Sequence, residues 1–297
     1  MPLALLLYVS LVNDVRILIA QHDLASAERI ARSYQKQAGS TPELAAALSW
    51  IARGELDLHQ LDQADKYASE ARDLSLQLLR TRKLETDPWL PTALGAAIEV
   101  HGLVLSARGE RPEAVSYLNQ QLALYRSAPI SERIRKNINL LSIEGKTAPP
   151  LEVSEWLGGQ KPPALSALRG RPVLLFFWAH WCPDCKAEGP ILANLMKRYG
   201  PKGLALVGPT RLYGYVAGGE DAAPVTEKRY IEQVRQQFYP ELAGMPIPLS
   251  NNNFLVYGSS TTPTLVLIDR AGVVRYYHPG AVSEQELTAR VEKVLAK

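Results

Sequence analysis

Residues 172–190 read P-V-L-L-F-F-W-A-H-W-C-P-D-C-K-A-E-G-P and determine the fold of half of this 297-residue chain. Its apolar run over Val173–Trp178 predicts a buried strand. The W-C-P-D-C that follows leads directly into a helical pattern, which we expect to run from Pro183 to Tyr199. This order of strand and helix places Cys182 at a helix N-terminus, where free backbone N–H groups and the helix dipole stabilise a thiolate.

The chain has only two cysteines, Cys182 and Cys185. A disulfide framework would need more cysteines spread along the chain, and a zinc site would need two further ligands nearby. The pair therefore predicts a redox-active dithiol with no other cofactor and no metal. We expect Cys182 to be the exposed nucleophile and Cys185, one turn further and more buried, to be the resolving thiol. The alternatives are an inert pair or half of a metal site.

Apolar runs and helical patterns alternate after residue 163, which indicates an α/β domain. Before it, the Pro- and Gly-rich residues 145–163 indicate a domain boundary, because prolines prevent a helix from continuing. The remaining strands are expected at Leu204–Val207, Leu265–Ile268 and Val273–Tyr277, and the remaining helices at Glu227–Phe238 and from a Ser283 cap to Leu295.

The C-terminal half resembles the thioredoxin superfamily and, within it, the TlpA/ResA-like thiol–disulfide oxidoreductases. The resemblance covers about residues 146–297. It rests on A-P-P at 148–150, on L-S-A-L-R-G-R-P-V-L-L-F-F-W-A-H-W-C-P-D-C-K-A-E-G-P at 165–190 and on Y-G-S-S-T-T-P-T-L-V-L-I-D-R-A-G at 257–272. It implies that Pro190 kinks the first helix of the domain and that Thr262-Pro263 is a cis-proline facing the cysteines. It further implies that Thr262 exchanges main-chain hydrogen bonds with an extended substrate.

Four side chains near the cysteines carry separate expectations. Trp181 is expected on the surface beside Cys182, where it shapes substrate access, and Trp178 is expected in the core. His180 is expected to face solvent, with the alternative that its imidazolium lowers the pKa of the thiol. Glu188 matches a family position and is a candidate for proton transfer, and an exposed helix glutamate is the other interpretation.

One departure from the family pattern concerns the proton of the resolving thiol. Thioredoxin-type enzymes bury an acidic residue beneath the dithiol, and the matching position here is Phe176. The proton acceptor for Cys185 is therefore open between Glu188, Glu220 and a water molecule.

An insertion rich in Gly and Tyr lies between Val207 and Thr226. It leaves the C-terminal end of a central strand, which is the side on which the active site of such a sheet opens. We take it as a hypothetical substrate-recognising lid over Cys182, and the alternative is a mobile surface loop.

The N-terminal half is helical in pattern from about 13 to 140. Three segments, 22–31, 59–68 and 109–118, align without gaps and place Ala27, Ala64 and Ala114 at the same position. The pattern resembles a degenerate tetratricopeptide repeat, with alanine spacings of 37 and 50 residues where the strict repeat has about 34. A generic helical bundle is the alternative. Three helix pairs would form a short solenoid with a concave face for a protein partner.

The fold class is therefore a helical, tetratricopeptide-like domain at 1–144, a linker and start of the next domain at 145–163, and a thioredoxin-like α/β domain at 164–297. The apolar run Leu3–Val12 is too short to span a bilayer. It fits an amphipathic first helix as well as a truncated or atypical export signal. The family resemblance alone implies an extracytoplasmic setting, periplasmic or membrane-associated.

The expected function is thiol–disulfide exchange that reduces protein disulfides, supplied by an upstream thiol electron donor, with the helical domain docking a partner. The alternative is a repeat-based scaffold with a weakly active thioredoxin domain. Residues 1–145 hold 16 Lys and Arg against 17 Asp and Glu, and residues 146–297 hold 17 against 13, so nucleic-acid binding is not expected. A peroxidase does not fit, because Ala179 stands where a peroxidatic T-x-x-C would place threonine. A copper(I) chaperone lacks a supporting Met or His pattern.

Overall fold

The computed structural model describes residues 10–158 and 161–296. The chain divides into two compact units, of which one ends at Asn137 and the other begins at Ile138. The predicted apolar segment Leu3–Val12 lies mostly outside the described residues. Its last two residues are buried and begin the first helix.

The N-terminal unit, called here the helical unit, is built from antiparallel helix pairs. Asp23 and Thr41 cap two of the helices by accepting backbone N–H groups of Ser26 and Leu44, which satisfies donors that a helix start leaves free. The helices are α1 Leu11–Ala20, α2 Leu24–Ala38, α3 Pro42–Asp57, α4 Leu61–Leu78, α5 Leu90–Ala107, α6 Arg111–Leu124 and α7 Ser131–Ser142, the last of which crosses the boundary between the units.

The turns inside the three helix pairs share one backbone conformation. His22, His59 and Gly109, which begin the three aligned segments of the sequence, have φ values of 59°, 58° and 88°. This left-handed region is uncommon for residues other than glycine. Five residues after each turn, Ala27, Ala64 and Ala114 are fully buried. The predicted helix pairs are therefore present, each with a buried alanine at the same position after its turn.

The core of the helical unit is rich in alanine, and the remaining space is filled mainly by valine and leucine, with Ile51 and Tyr67. Small side chains allow close helix approach, and Gly54 of α3 is an example, since a Cβ there would lie 2.6 Å from a Leu24 methyl group. Within the described residues, α5 alone has the length and apolar composition of a membrane-spanning helix, and more than half of it is buried inside the protein.

The C-terminal unit is an α/β domain around a four-stranded sheet of order β3-β2-β5-β6. The strand β3 runs parallel to β2, whereas β5 is antiparallel to both β2 and β6. A separate two-stranded ladder joins β1 and β4. The strands are β1 Trp156–Leu157, β2 Val173–Phe177, β3 Ala205–Val207, β4 Ile247–Pro248, β5 Thr264–Ile268 and β6 Val274–Pro279, and the helices are α8 Pro183–Tyr199, α9 Pro224–Phe238, α10 Asn251–Tyr257 and α11 Glu284–Leu295.

Both faces of the sheet are covered by helices, so the central strands are buried throughout. Alternation of side chains sends Phe176 towards α8, α9 and α11, and Phe177 towards α10. The helix α8 has the predicted bounds, and the four strands of the main sheet differ from prediction by one or two residues. The short strands β1 and β4 were not predicted. The helix α9 begins three residues earlier than predicted, at Pro224, because proline fits the first turn of a helix.

Candidate active site

Cys182 is the N-cap residue of α8, and its sulfur accepts the backbone N–H of Cys185 at 3.0 Å. Pro183 occupies the first helical position, where its missing N–H costs no hydrogen bond. The two cysteines are joined as a disulfide in this structure. After reduction, the same N–H group and the helix dipole are placed to stabilise a Cys182 thiolate.

Both cysteines are buried in the oxidised protein: Cys182 is 2% exposed and Cys185 is fully buried. The prediction of an exposed nucleophile is therefore wrong for this state, although Cys182 is the more accessible of the two. The sulfur of Cys182 is covered by the loop before β5, since it lies 3.3 Å from the carbonyl oxygen of Thr262. A disulfide sulfur carries no proton, so this contact becomes a hydrogen bond only in the thiol form.

The predicted cis peptide bond between Thr262 and Pro263 is confirmed. Thr264 follows at the start of β5, paired with Phe177 at the end of β2. This pairing is what brings the cis-proline loop to the cysteines. The hydroxyl of Thr262 is buried without a hydrogen-bond partner among the described residues.

The two tryptophans of the W-A-H-W sequence take different positions. Trp178 is fully buried, as predicted, and its indole N–H donates to the carbonyl of Gly208 at 3.0 Å. Trp181 is 44% exposed, although it immediately precedes the buried Cys182. Its ring meets that of Tyr213 edge-to-face, with centroids 5.5 Å apart. An exposed tryptophan therefore flanks the disulfide.

Glu188 is buried, so its interpretation as an exposed helix glutamate is wrong. One carboxylate oxygen accepts the backbone N–H of Val282 at 3.1 Å. Burial raises the pKa of Glu188, the charge of Asp184 adds to the rise, and the Val282 hydrogen bond opposes it. Because Glu188 lies three residues after Cys185, the two side chains share a face of α8.

The surroundings of Cys185 beneath the sheet are apolar and aromatic. Phe176 is fully buried and meets Tyr239 edge-to-face at 5.9 Å. The hydroxyl of Tyr239 donates to the carbonyl of Cys185 at 2.9 Å. Burial, together with the negative charge of Glu188, raises the pKa of Tyr239. Nothing in the sequence pattern singled out Tyr239. The other proposed proton acceptor, Glu220, is exposed in the loop 208–223.

His180 is also fully buried, which corrects the prediction that it faces solvent. Its Nε2 lies 3.2 Å from a carboxylate oxygen of Glu227 on α9. Burial lowers the pKa of His180, and the hydrogen bond and charge of Glu227 oppose this shift. Glu227 itself was missed by sequence reasoning, because a glutamate in the first turn of a helix is usually only a favourable exposed charge.

Comparisons with known proteins find similarity over the C-terminal half of the chain. The sequence model of the AhpC/TSA family matches residues 145–210. "Thiol-disulfide oxidoreductase ResA" of Bacillus anthracis is 27% identical over 152 residues, which cover 50% of this chain and 78% of ResA. "Thioredoxin-like protein YneN" of Bacillus subtilis is 30% identical over 150 residues, which cover 50% of this chain and 79% of YneN. The solved thioredoxin domain of a Bacteroides vulgatus thiol-disulfide oxidoreductase is 20% identical, covers 51% of this chain and 97% of that chain, and superposes with a TM-score of 0.40.

The chain belongs, through its C-terminal half, to the thioredoxin-like thiol–disulfide oxidoreductases. The predicted oxidoreductase class is thereby confirmed. Across residues 10–158 and 161–296, no cluster of three or more His, Cys, Asp or Glu side chains could hold a metal ion.

Proposed function

We propose that this enzyme reduces disulfides of other proteins, with Cys182 as the nucleophile and Cys185 as the resolving thiol. One observation carries the assignment: Cys182 caps α8 with its sulfur on the Cys185 N–H, beside the carbonyl of Thr262. Only the first cysteine of the pair has this N-cap position. Cys185 lies one turn inside the helix and is fully buried.

The exchange proceeds in two steps that balance in atoms and electrons. The Cys182 thiolate attacks one sulfur of the substrate disulfide, and the other substrate sulfur leaves as a thiolate that takes up a proton. Cys185 then loses its proton and attacks the Cys182 sulfur of the mixed disulfide. This attack releases the second substrate thiol and leaves the enzyme disulfide. A thiol donor of lower potential returns two electrons and two protons for the next cycle.

Glu188 is the proposed acceptor of the Cys185 proton. Its shared face with Cys185, its burial and its raised pKa support the proposal. No ion pair of Glu188 occurs within the described part of the chain, so its carboxylate is not held in the charged form by a cation. Because its pKa is raised, this carboxylate is a stronger base than an exposed glutamate and is suited to accept the thiol proton.

The proposed substrate is an extended polypeptide that runs past Thr262-Pro263 and Trp181. The Thr262 carbonyl already lies against the Cys182 sulfur, which supports main-chain contact between this loop and a substrate at the same place. The exposed face of Trp181 offers an apolar contact on the other side of Cys182.

The helical domain, residues 1–144, is proposed to be a tetratricopeptide-like module that docks a protein partner. Three helix pairs with equivalent turns and buried alanines support this proposal. The proposed setting is extracytoplasmic, since protein disulfides persist mainly in oxidising compartments.

The reduction potential of the Cys182–Cys185 pair against a glutathione series tests the direction of exchange. A value near that of thioredoxin, about −270 mV, is expected. A value nearer about −120 mV would assign the opposite role, that of an oxidant. Cys182→Ser is the control, because it cannot form the intramolecular bond.

A trapping experiment tests the order of attack. Cys185→Ser should accumulate a mixed disulfide with a protein substrate through Cys182, and Cys182→Ser should not. A wild-type protein that turns over no disulfide substrate would instead favour the scaffold alternative.

A further inference from the structure

One buried carboxylate, that of Glu227, holds the loop between β3 and α9 by hydrogen bonds to its backbone. The oxygens of Glu227 accept the backbone N–H groups of Tyr213 at 2.6 Å and of Gly214 at 2.9 Å. The Nε2 of His180 lies 3.2 Å from the same carboxylate. Glu227 and His180 are both fully buried. Burying a carboxylate costs free energy unless it is well hydrogen-bonded, so these contacts hold one another in place.

This arrangement sets which nitrogen of His180 carries a proton. A proton on Nε2 allows the ring to donate to Glu227, and Nδ1 then remains a buried acceptor without a partner among the described residues. His180 precedes Cys182 by two residues. The carboxylate therefore ties the inserted loop to the turn that carries the nucleophile.

Three tyrosine side chains surround His180, and Trp181 contacts one of them. The His180 ring meets the rings of Tyr213, Tyr215 and Tyr230 at steep angles, with centroids 5.5, 5.5 and 5.3 Å away. Tyr213 in turn meets Trp181 edge-to-face at 5.5 Å. We call Trp181, Tyr213 and Tyr215 the aromatic wall. The chain of contacts runs from Glu227 through the backbone of Tyr213 to the exposed indole next to Cys182.

We infer that Glu227, together with His180, is a positioning residue that holds the aromatic wall beside Cys182 and thereby selects protein substrates with an apolar side chain next to the reacting cysteine. The inference rests on the proposed function and names the substrate feature that the site prefers. It also changes the role of the loop: two backbone N–H groups bound to a buried carboxylate make it a fixed wall, not a lid that opens and closes.

The apolar surface of the aromatic wall determines which substrate side chains it prefers. An extended chain that passes Thr262-Pro263 with its cysteine at Cys182 brings a neighbouring side chain against the exposed indole. Aromatic rings held by edge-to-face contacts offer an apolar surface at little entropic cost. A small disulfide has no flanking residue and gains nothing from this surface. Loss of the wall should therefore weaken binding of a polypeptide and leave the intrinsic reactivity of the cysteines unchanged.

The test compares a protein disulfide, insulin, with a small one, bis(2-hydroxyethyl) disulfide. Glu227→Ala removes the acceptor of all three contacts. Its KM for insulin is expected to rise by up to about tenfold, because a lost aromatic contact costs about 0.5–1.5 kcal/mol and about 1.4 kcal/mol is a tenfold change in affinity. Its rate with the small disulfide should fall by a smaller factor than its kcat/KM for insulin, because only the polypeptide contacts the aromatic wall. Glu232→Gln is the matched control, since Glu232 lies on the same helix and forms a partly buried ion pair with Arg235.

Tyr213→Ala and Tyr213→Phe keep the test decisive if Glu227→Ala fails to fold. The alanine variant should reproduce the rise in KM for insulin, and the phenylalanine variant, which keeps the ring, should restore the wild-type value. An unchanged KM for insulin in Tyr213→Ala, or an equal loss with both disulfides, overturns the inference. Wild-type protein that reduces neither disulfide refutes the proposed function itself, which distinguishes the two failures.

Discussion

Two glutamates, Glu99 in the helical unit and Glu188 in the C-terminal unit, are compensated differently. The side chain of Glu99 is 13% exposed, and Glu188 is buried. The ammonium group of Lys136 lies 3.0 Å from one oxygen of Glu99, and the guanidinium groups of Arg53 and Arg133 lie 3.5 and 3.8 Å from the other. Glu188 instead accepts one backbone N–H, from Val282.

The pKa values respond in opposite directions. Burial alone would raise the pKa of Glu99, but the charges of Lys136, Arg53 and Arg133 outweigh it and lower the pKa. Burial raises the pKa of Glu188, and no cation within residues 10–158 and 161–296 reverses this shift. A carboxylate removed from water therefore stabilises the fold where neighbouring cations keep it charged. Where no cation pairs with it, it can accept a proton.

Removal of Glu99 should have the largest effect on stability. Glu99→Ala leaves three cations close together with no carboxylate between them. The free energy of unfolding of the helical unit is expected to fall by about 3–5 kcal/mol, as when one partner of a buried ion pair is removed. Hydrogen exchange of peptides from α5 measures this locally. Glu85→Ala, in the exposed loop before α5, is the control and should change little. A loss as small as that of Glu85→Ala would contradict a structural role for the cluster.

The corresponding change in the C-terminal unit, at Glu188, should affect the rate at which the mixed disulfide is released. Glu188→Gln keeps the shape of the side chain and removes the proton acceptor. Release of the mixed disulfide by Cys185 is expected to slow about a hundredfold, the lower end of the range for general acid–base catalysis. Rapid-quench measurement of the mixed disulfide reports this step, with Glu241→Gln as an exposed control. Equal rates in the two variants would mean that a group other than Glu188 accepts the proton of Cys185.

The residues that the sequence located correctly are those whose role is local. The position of Cys182 at the start of α8 follows from the apolar strand, the C-P-D-C turn and the helical pattern after it, all within about twenty residues. The cis bond before Pro263 was predicted from the resemblance of Thr262-Pro263 to the cis-proline of the thioredoxin superfamily.

The residues that it misplaced depend on contacts between distant segments. Glu188 is buried against Val282, and His180 against Glu227, which lie 94 and 47 residues away in the chain. Similarly, the Glu99 cluster draws its cations from α3 and α7. A single polar residue on a helix gives no periodic signal for such burial, because the compensating partner is known only once the fold is formed.

The pH dependence of stability should have opposite signs at the two carboxylates. Glu99 has a lowered pKa, so its contribution is fully present above the ordinary glutamate value of 4.5 and is lost as pH falls through its folded value. Glu188 has a raised pKa, so its contribution is present below 4.5 and is lost as pH rises through its folded value.

The variants isolate these two contributions. Glu188→Gln should gain stability relative to wild type between pH 4 and pH 8, and the difference should vanish at the acidic end. Glu99→Gln should be less stable than wild type at pH 7, with the difference shrinking below pH 4.5. Urea unfolding at stepped pH, followed by hydrogen exchange in α5 and α8, measures both. Parallel pH curves for either variant and wild type would mean that the glutamate in question does not change its pKa on folding.

The smallest effect on stability is expected when the Glu99 cluster keeps its carboxylate and loses one of its three cations. Arg133 is the most distant of the three cations from Glu99, and burial and the charge of Arg53 lower its pKa. Arg133→Met keeps the aliphatic stem and leaves Lys136 and Arg53 to neutralise the carboxylate. We expect the free energy of unfolding to change by no more than about 1 kcal/mol, because lost attraction to Glu99 is offset by relieved repulsion among the cations. Hydrogen exchange of α5 would show whether this holds, and a loss close to that of Glu99→Ala would mean that Glu99 needs all three cations.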